Sequence, residues 1–272
     1  MIKNLLLPLA LVFSLSAVAG NENFPIGARA TGMGNTGLTL SDVWSTHYNQ
    51  AGLANVRLIS AGISYESRFL QSDLGISSFA FALPIKSGTF GLNYTGFGGS
   101  LYNQSKVGLS YAMKFSPDIS GGISINYHNT RLGGVYGGSN AFTFEAGVLA
   151  KVTKNLQIGC HIFNPTQSKL NDYQDEIIPT VVRLGLRYDF SEKVVTQIEV
   201  EKDIDFSPVY KAGIEYHPSD VLYIRTGIST NPSLPSIGIG LKFDQFNIDV
   251  ASTFHPVLGV TPAFGLRYNL DK

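Results

Sequence analysis

The sequence predicts an all-β fold: a transmembrane antiparallel up-and-down β-barrel of about 14 strands, with an N-terminal plug or hatch segment in its lumen. Three observations predict this fold. Apolar and polar residues alternate almost continuously beyond residue 56, which is the period of a strand with one buried face. Only 15% of the 272 residues are charged, and the chain contains 29 Gly, 13 Tyr and 17 Phe. Short and long connections alternate along the chain, as they do in outer-membrane barrels.

The first 19 residues have the features of a secretory signal peptide. Lys3 supplies the positive start, 5–18 are mostly apolar, and Ala17-Val18-Ala19 has the small-x-small pattern of a cleavage site. The apolar stretch is short for a membrane-spanning helix. Beyond residue 20 there is no run of eighteen apolar residues, so the mature chain could span a membrane only as a barrel. We therefore predict cleavage after Ala19 and an exported protein.

Fourteen runs beyond residue 56 have strand alternation, so 57–272 is predicted to be the barrel domain. In the run 235–243, for example, isoleucine and leucine alternate with glycine and lysine. The even number agrees with single-chain bacterial barrels. The runs are 57–67, 74–85, 88–98, 105–115, 119–131, 140–152, 155–163, 179–190, 193–204, 208–217, 221–230, 235–243, 245–254 and 260–270.

The connections support a membrane barrel over a soluble β-sandwich. Every other connection is very short and rich in turn-forming residues, such as Lys86-Ser87 and Asp244-Gln245. The intervening ones tend to be longer, up to 164–178, with 205–207 as the exception. If the N-terminus lies in the periplasm, the longer connections are external. A sandwich rarely needs fourteen hairpin-linked strands, and its solvent face would carry more charge.

The two faces of the predicted strands differ in charge. The apolar face carries almost no charged residue, and we expect it to meet lipid, because a charge at the bilayer midplane costs roughly 2–4 kcal/mol. The other face should line the lumen with charges of both signs. These charges could form an ion-pair network that holds a plug, because unpaired buried charges are costly, or they could line a polar permeation path. The predicted luminal charges are Glu145, Arg183, Arg187, Glu199, Glu201, Lys211, Glu215, Arg225, Lys242, Asp249 and Arg267.

Residues 20–56 do not alternate and are predicted to form a separate unit. The segment is Gly-rich at first and amphipathic later, and it contains Trp44, the only tryptophan. Ser41 followed by Asp42 could cap a short helical turn. The segment is too long for a simple tail if it is ordered, so it could fold inside the barrel as a plug.

The same segment resembles the opening of the FadL-like outer-membrane superfamily, most closely its PorV/PorQ branch. Members typically have G-x-R-x-x-G-M-G-x-A, one or two acidic residues, and N-P-A-G-L-A before the first strand. Gln50 stands where the family usually has proline, which weakens any inference from a rigid turn there. The matching residues are Gly27, Arg29, Gly32, Met33, Gly34, Asp42, Asn49, Ala51, Gly52 and Leu53.

The resemblance implies an N-terminal hatch, including Gln50, inside a fourteen-stranded barrel. In FadL relatives the hatch gates the diffusion of hydrophobic compounds. In PorV/PorQ relatives the barrel serves the type IX secretion pathway of Bacteroidota, where it binds secreted cargo or other outer-membrane components. A plug that only seals the lumen is an equal alternative to a moving gate.

Two functional hypotheses follow. The first is a non-enzymatic outer-membrane barrel that acts as an accessory or docking component of type IX secretion or a related complex. The alternative is a FadL-like passive channel for small hydrophobic molecules, gated by the hatch. The modest, mostly polar connection 164–178 favours the first. Its partners would be outer-membrane lipids and secretion proteins, and exposed aromatics mark interfaces. The aromatic candidates, which could instead be interfacial anchors, are Tyr102, Tyr136, Tyr173 and Phe206.

Other functions have little support in the sequence. A net charge of zero argues against a nucleic-acid partner. Cys160 is the only cysteine, which excludes an intramolecular disulfide. His128 and His161 are inward-facing candidates, but no H-E-x-x-H or G-x-S-x-G motif occurs. We therefore predict an integral outer-membrane protein without catalytic residues, metal or cofactor.

Overall fold

A computed structural model describes residues 23–133, 137–171 and 176–270. The predicted signal peptide, 1–19, lies outside the described residues. Among those described, no helix is long and apolar enough to cross a membrane. Fourteen strands form a closed antiparallel barrel. They are β1 Ser60–Ser67, β2 Gly75–Ile85, β3 Gly88–Gly98, β4 Tyr102–Lys114, β5 Ile119–Leu132, β6 Gly138–Lys151, β7 Leu156–Phe163, β10 Val181–Ser191, β11 Val194–Asp203, β12 Val209–Tyr216, β13 Leu222–Ser229, β14 Leu234–Phe243, β15 Phe246–His255 and β16 Gly259–Asn269.

The barrel has up-and-down topology, and the predicted fold class is confirmed. Each strand pairs with its neighbours in the chain, β7 pairs with β10, and β1 closes the barrel against β16. The closing register runs from Ser60 opposite Asn269 to Glu66 opposite Ala263. Two short strands, β8 (Lys169–Asn171) and β9 (Glu176–Ile177), pair as a separate sheet between β7 and β10.

The alternation of the sequence fixes which face of each strand points outward. In β14, Ile237 and Ile239 are exposed while Gly238 is buried. A slip of one residue would exchange the two faces, so the register is strongly specified. Exposed apolar side chains on this scale are unusual in soluble monomers and match the lipid-facing band of a membrane barrel. The outward set includes Ile63, Phe90, Leu109, Ile123, Phe142, Ile158, Leu184, Ile198, Ile214, Ile224 and Phe264.

The two ends of the barrel differ. At the turn end the connections are 86–87, 115–118, 152–155, 192–193, 217–221 and 244–245. At the loop end they are 68–74, 99–101, 133–137, 164–180, 204–208, 230–233 and 256–258. The longest connection, 164–180, was expected to be mostly polar. It nevertheless contributes to an apolar cluster, in which Leu170 and Ile178 are buried against Phe163 and Val181. Asn164 holds this loop, since its Nδ2 donates to the Ile178 carbonyl at 2.7 Å.

Residues 23–56, which we call the luminal segment, lie inside the barrel. The segment contains helix α1 (Ala28–Thr31), helix α2 (Ser45–Tyr48) and a 3-10 turn, Gln50–Asn55. Helix α1 packs on β14, β15 and β16, whereas the 3-10 turn packs on β3 to β6. The segment supplies most of an apolar core, including Trp44 and Tyr48, which extends to Ile76 of β2 and Ala112 of β4. Within that core the Tyr48 hydroxyl donates to the Ile26 carbonyl at 2.8 Å.

A lysine placed on the outward face of β14 should destabilise the barrel according to its depth. Ile239 lies near the middle of the strand and Phe243 at its end, and both are exposed. We expect Ile239→Lys to lower the free energy of unfolding by about 2–4 kcal/mol and Phe243→Lys by about 0–1 kcal/mol. Urea unfolding from phospholipid vesicles, followed by Trp44 fluorescence, measures both. Equal costs would contradict the placement of this face in lipid.

Candidate functional site: the luminal segment and the barrel wall

One closed ring of charges, the charge ring, joins the luminal segment to four strands. Arg29 and Asp42 of the segment lie 3.0 Å apart. Arg29 pairs with Glu215 of β12 at 2.7 Å, and Asp42 pairs with Arg267 of β16 at 2.8 Å. Arg225 of β13 and Asp249 of β15 complete the ring. Three arginines and three carboxylates alternate, so the buried charges balance.

Three of the six contacts in the charge ring join wall residues to one another. Arg225 Nε lies 2.5 Å from Glu215 and its Nη1 lies 2.7 Å from Asp249. Arg267 approaches Asp249 at 3.1 Å. To reach β15, Arg225 must cross β14 at Gly240, where an added Cβ would lie 2.6 Å from its Nη1. A side chain at that position would therefore displace the Arg225 guanidinium or the Asp249 carboxylate from its present position.

Arg29 remains charged inside the barrel. Burial by itself lowers the pKa of the guanidinium, but the carboxylates of Glu215 and Asp42 outweigh burial and raise the pKa above its ordinary value. Asp42 also caps the next turn, because its Oδ1 accepts from the Trp44 amide at 3.0 Å. The same aspartate thus orders the segment and binds it to the wall.

A second cluster holds the middle of the luminal segment on β11. Glu199 Oε2 accepts from the backbone amides of Gly37 and Leu38 at 3.1 and 3.2 Å. Glu199 lies 3.7 Å from Lys211, and Lys211 lies 2.8 Å from Glu201. Glu201 also pairs with Arg183 at 2.6 Å. These four predicted luminal charges therefore form one ion-pair cluster that binds two segment amides, although Arg183 Nη1 and Glu199 Oε1 have no hydrogen-bond partner among the described residues.

A third cluster surrounds Glu145 of β6. Gln50 Nε2 donates to Glu145 Oε2 at 2.7 Å, so the residue that departs from the family pattern binds the wall directly. Asn126 Nδ2 donates to Glu145 Oε1 at 2.8 Å. His161 Nε2 lies 2.9 Å from Glu145, and Lys106 Nζ lies 3.8 Å from it. The sequence analysis did not identify Lys106, although its inward position on β4 was a usable signal.

The remaining residues of the predicted hatch motif pack the luminal segment against itself or the wall. Gly27 has a φ of +86° and starts α1. Gly34 has a φ of +69°, and its amide donates to Ser236 at 2.9 Å. Asn49 Oδ1 accepts from Ala51 N at 3.2 Å, starting the 3-10 turn. Gly32, Met33 and Gly52 are buried.

Glycines of the wall allow this close packing. A Cβ at Gly227 of β13 would fall against the backbone of Met33 and Gly34. Within the segment, a Cβ at Gly52 would likewise fall against the Leu40 carbonyl. Gly265 of β16 differs, because its Cβ would lie 3.5 Å from the Ala28 Cβ, an ordinary contact.

Some predicted site residues lie elsewhere. Arg187 is half-buried and pairs with its strand neighbour Asp189 at 2.8 Å, away from the charge ring. Lys242 is exposed at the turn end, because β14 ends there. Tyr102 is not an exposed loop residue: it begins β4, is half-buried, and its ring lies 6.2 Å from that of Phe97. Phe206 is 52% exposed at the loop end.

Two further predictions, Tyr136 and Tyr173, fall outside the described residues. Cys160 is exposed on the outward face. No group of three or more His, Cys, Asp or Glu suited to holding a metal occurs in the described part of the chain.

A cavity of about 740 Å³ opens at the turn end. Its lining mixes apolar side chains, such as Leu58 and Ile85, with the cations Arg57, Lys86 and Lys114. This mouth is large enough for a small organic molecule.

Removing Arg29 should destabilise the barrel, because Glu215 and Asp42 would keep buried charge without their shared partner. We expect Arg29→Met to cost about 3–5 kcal/mol, the range for a broken buried ion pair. The control Arg187→Met removes a half-exposed local pair and should cost less than about 1 kcal/mol. Urea unfolding from vesicles compares them. Similar losses for the two variants would refute a special role for the charge ring.

No protein-family model and no curated protein matches the chain, but solved structures match almost its whole length. A deltaS2 mutant of the TodX monoaromatic hydrocarbon channel has a TM-score of 0.74 and 12% identity, over 92% of this chain and 99% of that chain. The Ralstonia pickettii toluene transporter TbuX has a TM-score of 0.70 and 12% identity, over 90% and 98%. A Pseudomonas aeruginosa FadL homologue has a TM-score of 0.65 and 13% identity, over 91% and 99%.

At these identities the likeness establishes the fold alone, a barrel like those of the TodX, TbuX and FadL-homologue structures. It agrees with the superfamily that the N-terminal motif resembles and gives no support to the narrower PorV/PorQ assignment. Two of the three matched structures are named as a channel and a transporter. The closed barrel, its apolar outer face and this fold together indicate an integral outer-membrane protein.

Proposed function

We propose that the protein is an outer-membrane channel for small hydrophobic molecules, and that the luminal segment is its gate. The observation that carries this proposal is the full-length match to channels named for monoaromatic hydrocarbons and toluene. This reverses the preference drawn from the sequence, which placed a secretion accessory first.

The way the luminal segment is held supports a gate. On the side of β11 to β16 its attachments are mainly ion pairs and hydrogen bonds, from Arg29, Asp42 and the Gly37 amide, and its one small apolar cluster there joins Ala28 to alanines of β15 and β16. Polar contacts can be exchanged for water when a segment moves, whereas interlocked apolar packing cannot. Most of the apolar core lies within the segment, and its wall members lie on β2 and β4, so the side of the segment that faces β11 to β16 is the side that could move.

A disulfide can test whether passage requires this movement. The Cβ atoms of Ala28 and a residue 265 with a side chain would lie 3.5 Å apart, within the range of a disulfide. The pair Ala28→Cys and Gly265→Cys, with Cys160→Ala to remove the native thiol, would lock α1 to β16. Ala28→Cys with Cys160→Ala is the matched control that cannot form the bridge.

We expect cells that lack their own hydrocarbon channel to take up labelled toluene several-fold faster when they produce this protein. Oxidation should abolish the gain in the double-cysteine variant, and a reductant should restore it. The single-cysteine control should be unaffected. Uptake no faster than with an empty vector would contradict the channel hypothesis. Uptake that is faster than with the vector but unchanged by oxidation would contradict the gate hypothesis and not the channel hypothesis.

A docking role is the second candidate, favoured by apolar side chains at the loop end. Phe206 is 52% exposed, Leu101 81% and Val257 85%, and exposed apolar residues beyond the lipid band suit a protein partner. A type IX secretion partner rests on the sequence resemblance alone. Tyr136 and Tyr173 remain predicted contacts on the same end.

Crosslinking in the native membrane tests this second candidate. Under the docking hypothesis, mild crosslinking and mass spectrometry should recover the same outer-membrane or secreted protein in repeated preparations. Substitution of Phe206 by Ser should reduce that recovery, whereas Phe243→Ser at the opposite end should not. A barrel that is recovered alone would contradict a stable complex.

A further inference from the structure

The cavity at the turn end, of about 740 Å³, takes no part in the attachment of the luminal segment to β11–β16. It lies where the end of the segment and residues 57–59 pass beside the turn between β2 and β3. Its volume is in the range of small-molecule sites. The charge and polarity of its walls therefore decide which class of ligand it suits.

The cavity exists because the barrel wall has a notch at this point. The pairing of β1 with β2 begins at Ser60 opposite Ala82, so β1 has no residue opposite 83–85. These last residues of β2 pair with β3 alone. Before Ser60 the chain lines the cavity instead of extending the sheet. The β2–β3 hairpin therefore projects past β1, and the edge of β2 is uncovered there.

The notch gives the cavity walls from both faces of the barrel. Thr89 is buried on the inward face of β3, and Lys114 continues the inward face of β4. On the outward side, Ile59, Ile85 and Leu270 line the same cavity and are 37%, 44% and 43% exposed. These three residues, the outer apolar edge, continue the lipid-facing band of the barrel. A ligand in the cavity would therefore contact both the mouth of the lumen and the membrane.

The charges around the cavity have one sign. Arg57, Lys86 and Lys114, which we call the cation trio, are the only charged residues of its lining in the described part of the chain. All three are exposed, and within the described ranges their side chains form no ion pair or hydrogen bond. Lys114 also borders a much smaller cavity, where Asp118 and Lys151 have opposite charges. The trio thus differs from the charge ring, in which arginines and carboxylates balance.

Three cations beside an apolar edge suit an anion that carries hydrocarbon chains. Lysine and arginine are the residues that recognise phosphate, and basic pockets at a membrane surface bind anionic lipid headgroups. Short turns mark the periplasmic end of an outer-membrane barrel, so the cavity lies at the level of the headgroups. The outer apolar edge gives acyl chains a surface to lie on between the cavity and the bilayer.

We propose that this cavity binds one anionic glycerophospholipid, with its phosphate on the cation trio and its acyl chains along the outer apolar edge. The inference goes beyond the proposed channel and does not depend on it. A lipid held in this way would fill the notch between β1 and β2. It would also contact Ala54 and Val56 at the end of the luminal segment, and would so link the segment to the β2–β3 hairpin.

Native mass spectrometry of the purified full-length protein in detergent measures this binding. The probes are phosphatidylglycerol and phosphatidylcholine with identical acyl chains, so the two lipids differ only in their headgroups. We expect one phosphatidylglycerol to bind at least about tenfold more tightly than phosphatidylcholine, because each nearby cation contributes about fivefold. An excess of glycerol 3-phosphate, which has no acyl chains, should not displace the lipid, because buried methylene groups supply much of the affinity.

Substitutions in the cation trio should weaken the first bound phosphatidylglycerol. We expect Lys86→Gln and Lys114→Gln to weaken it about fivefold each and to leave phosphatidylcholine unchanged. Lys154→Gln, at an exposed lysine of another turn at the same end, is the matched control and should change the affinity less than about twofold. Because none of these lysine side chains is paired among the described residues, the variants should fold normally, which circular dichroism checks.

The outer apolar edge has a test of its own. Ile85→Ser should weaken both lipids by a similar factor of about threefold, because the two share the same acyl chains. Ile119→Ser, at an exposed isoleucine beside another turn, should change neither lipid. Equal effects of these two variants would contradict the placement of the chains.

Equal affinity for the two lipids, or equal effects of Lys114→Gln and Lys154→Gln, would overturn the proposal in favour of general surface attraction. Displacement of the lipid by glycerol 3-phosphate would overturn it in favour of a site for free phosphate. Asp271 follows Leu270 in the sequence. Binding that is detected only in Asp271→Asn would show that this carboxylate occupies the site, and would overturn the proposal as well.

Discussion

The structure depends on pairing charge inside a closed barrel. Closing β1 against β16 removes the open sheet edges, but it also withdraws the charges of the ring from bulk water. Buried charges are tolerated when they are paired and hydrogen-bonded. The wall alone does not complete this pairing in the charge ring: Glu215 and Arg267 reach Arg29 and Asp42 of the luminal segment. The segment is therefore part of the electrostatic structure of the barrel.

The same constraint explains the distribution of small residues. A folded segment fits in the lumen because the wall has glycine where the two backbones meet. Gly227, for example, lies against the backbone of Met33 and Gly34. Gly240 leaves room for a side chain in the same way, because Arg225 crosses β14 there to reach Asp249. The glycine content that indicates a barrel in the sequence thus has a specific use, which is to make room for the segment and for the charge ring.

The polar contacts of the segment differ between the two sides of the barrel, and this difference bears on function. Near β11 to β16, ion pairs and hydrogen bonds of Arg29, Asp42 and the Gly37 amide hold the segment in place, and they could be exchanged for water during the proposed gating. Near β3 to β5, four buried polar atoms have no hydrogen-bond partner among the described residues. The first region suits a structural latch.

The sequence by itself determined the strand count, the topology and the face of nearly every strand, because alternation with period two and the alternating connection lengths are local properties. It also identified most charges of the ring and the segment that joins them. Only the tertiary structure decided which charges pair, because Arg29 and Glu215 are distant in sequence and meet only when the segment enters the lumen. It likewise decided that Arg187 pairs with a neighbour on its own strand. Lys242 is exposed at the turn end and Tyr102 is half-buried at the start of β4, unlike the predictions for both. Lys106 contacts His47 and Asn23. Such contacts depend on strand ends and on packing across the lumen, which no local pattern records.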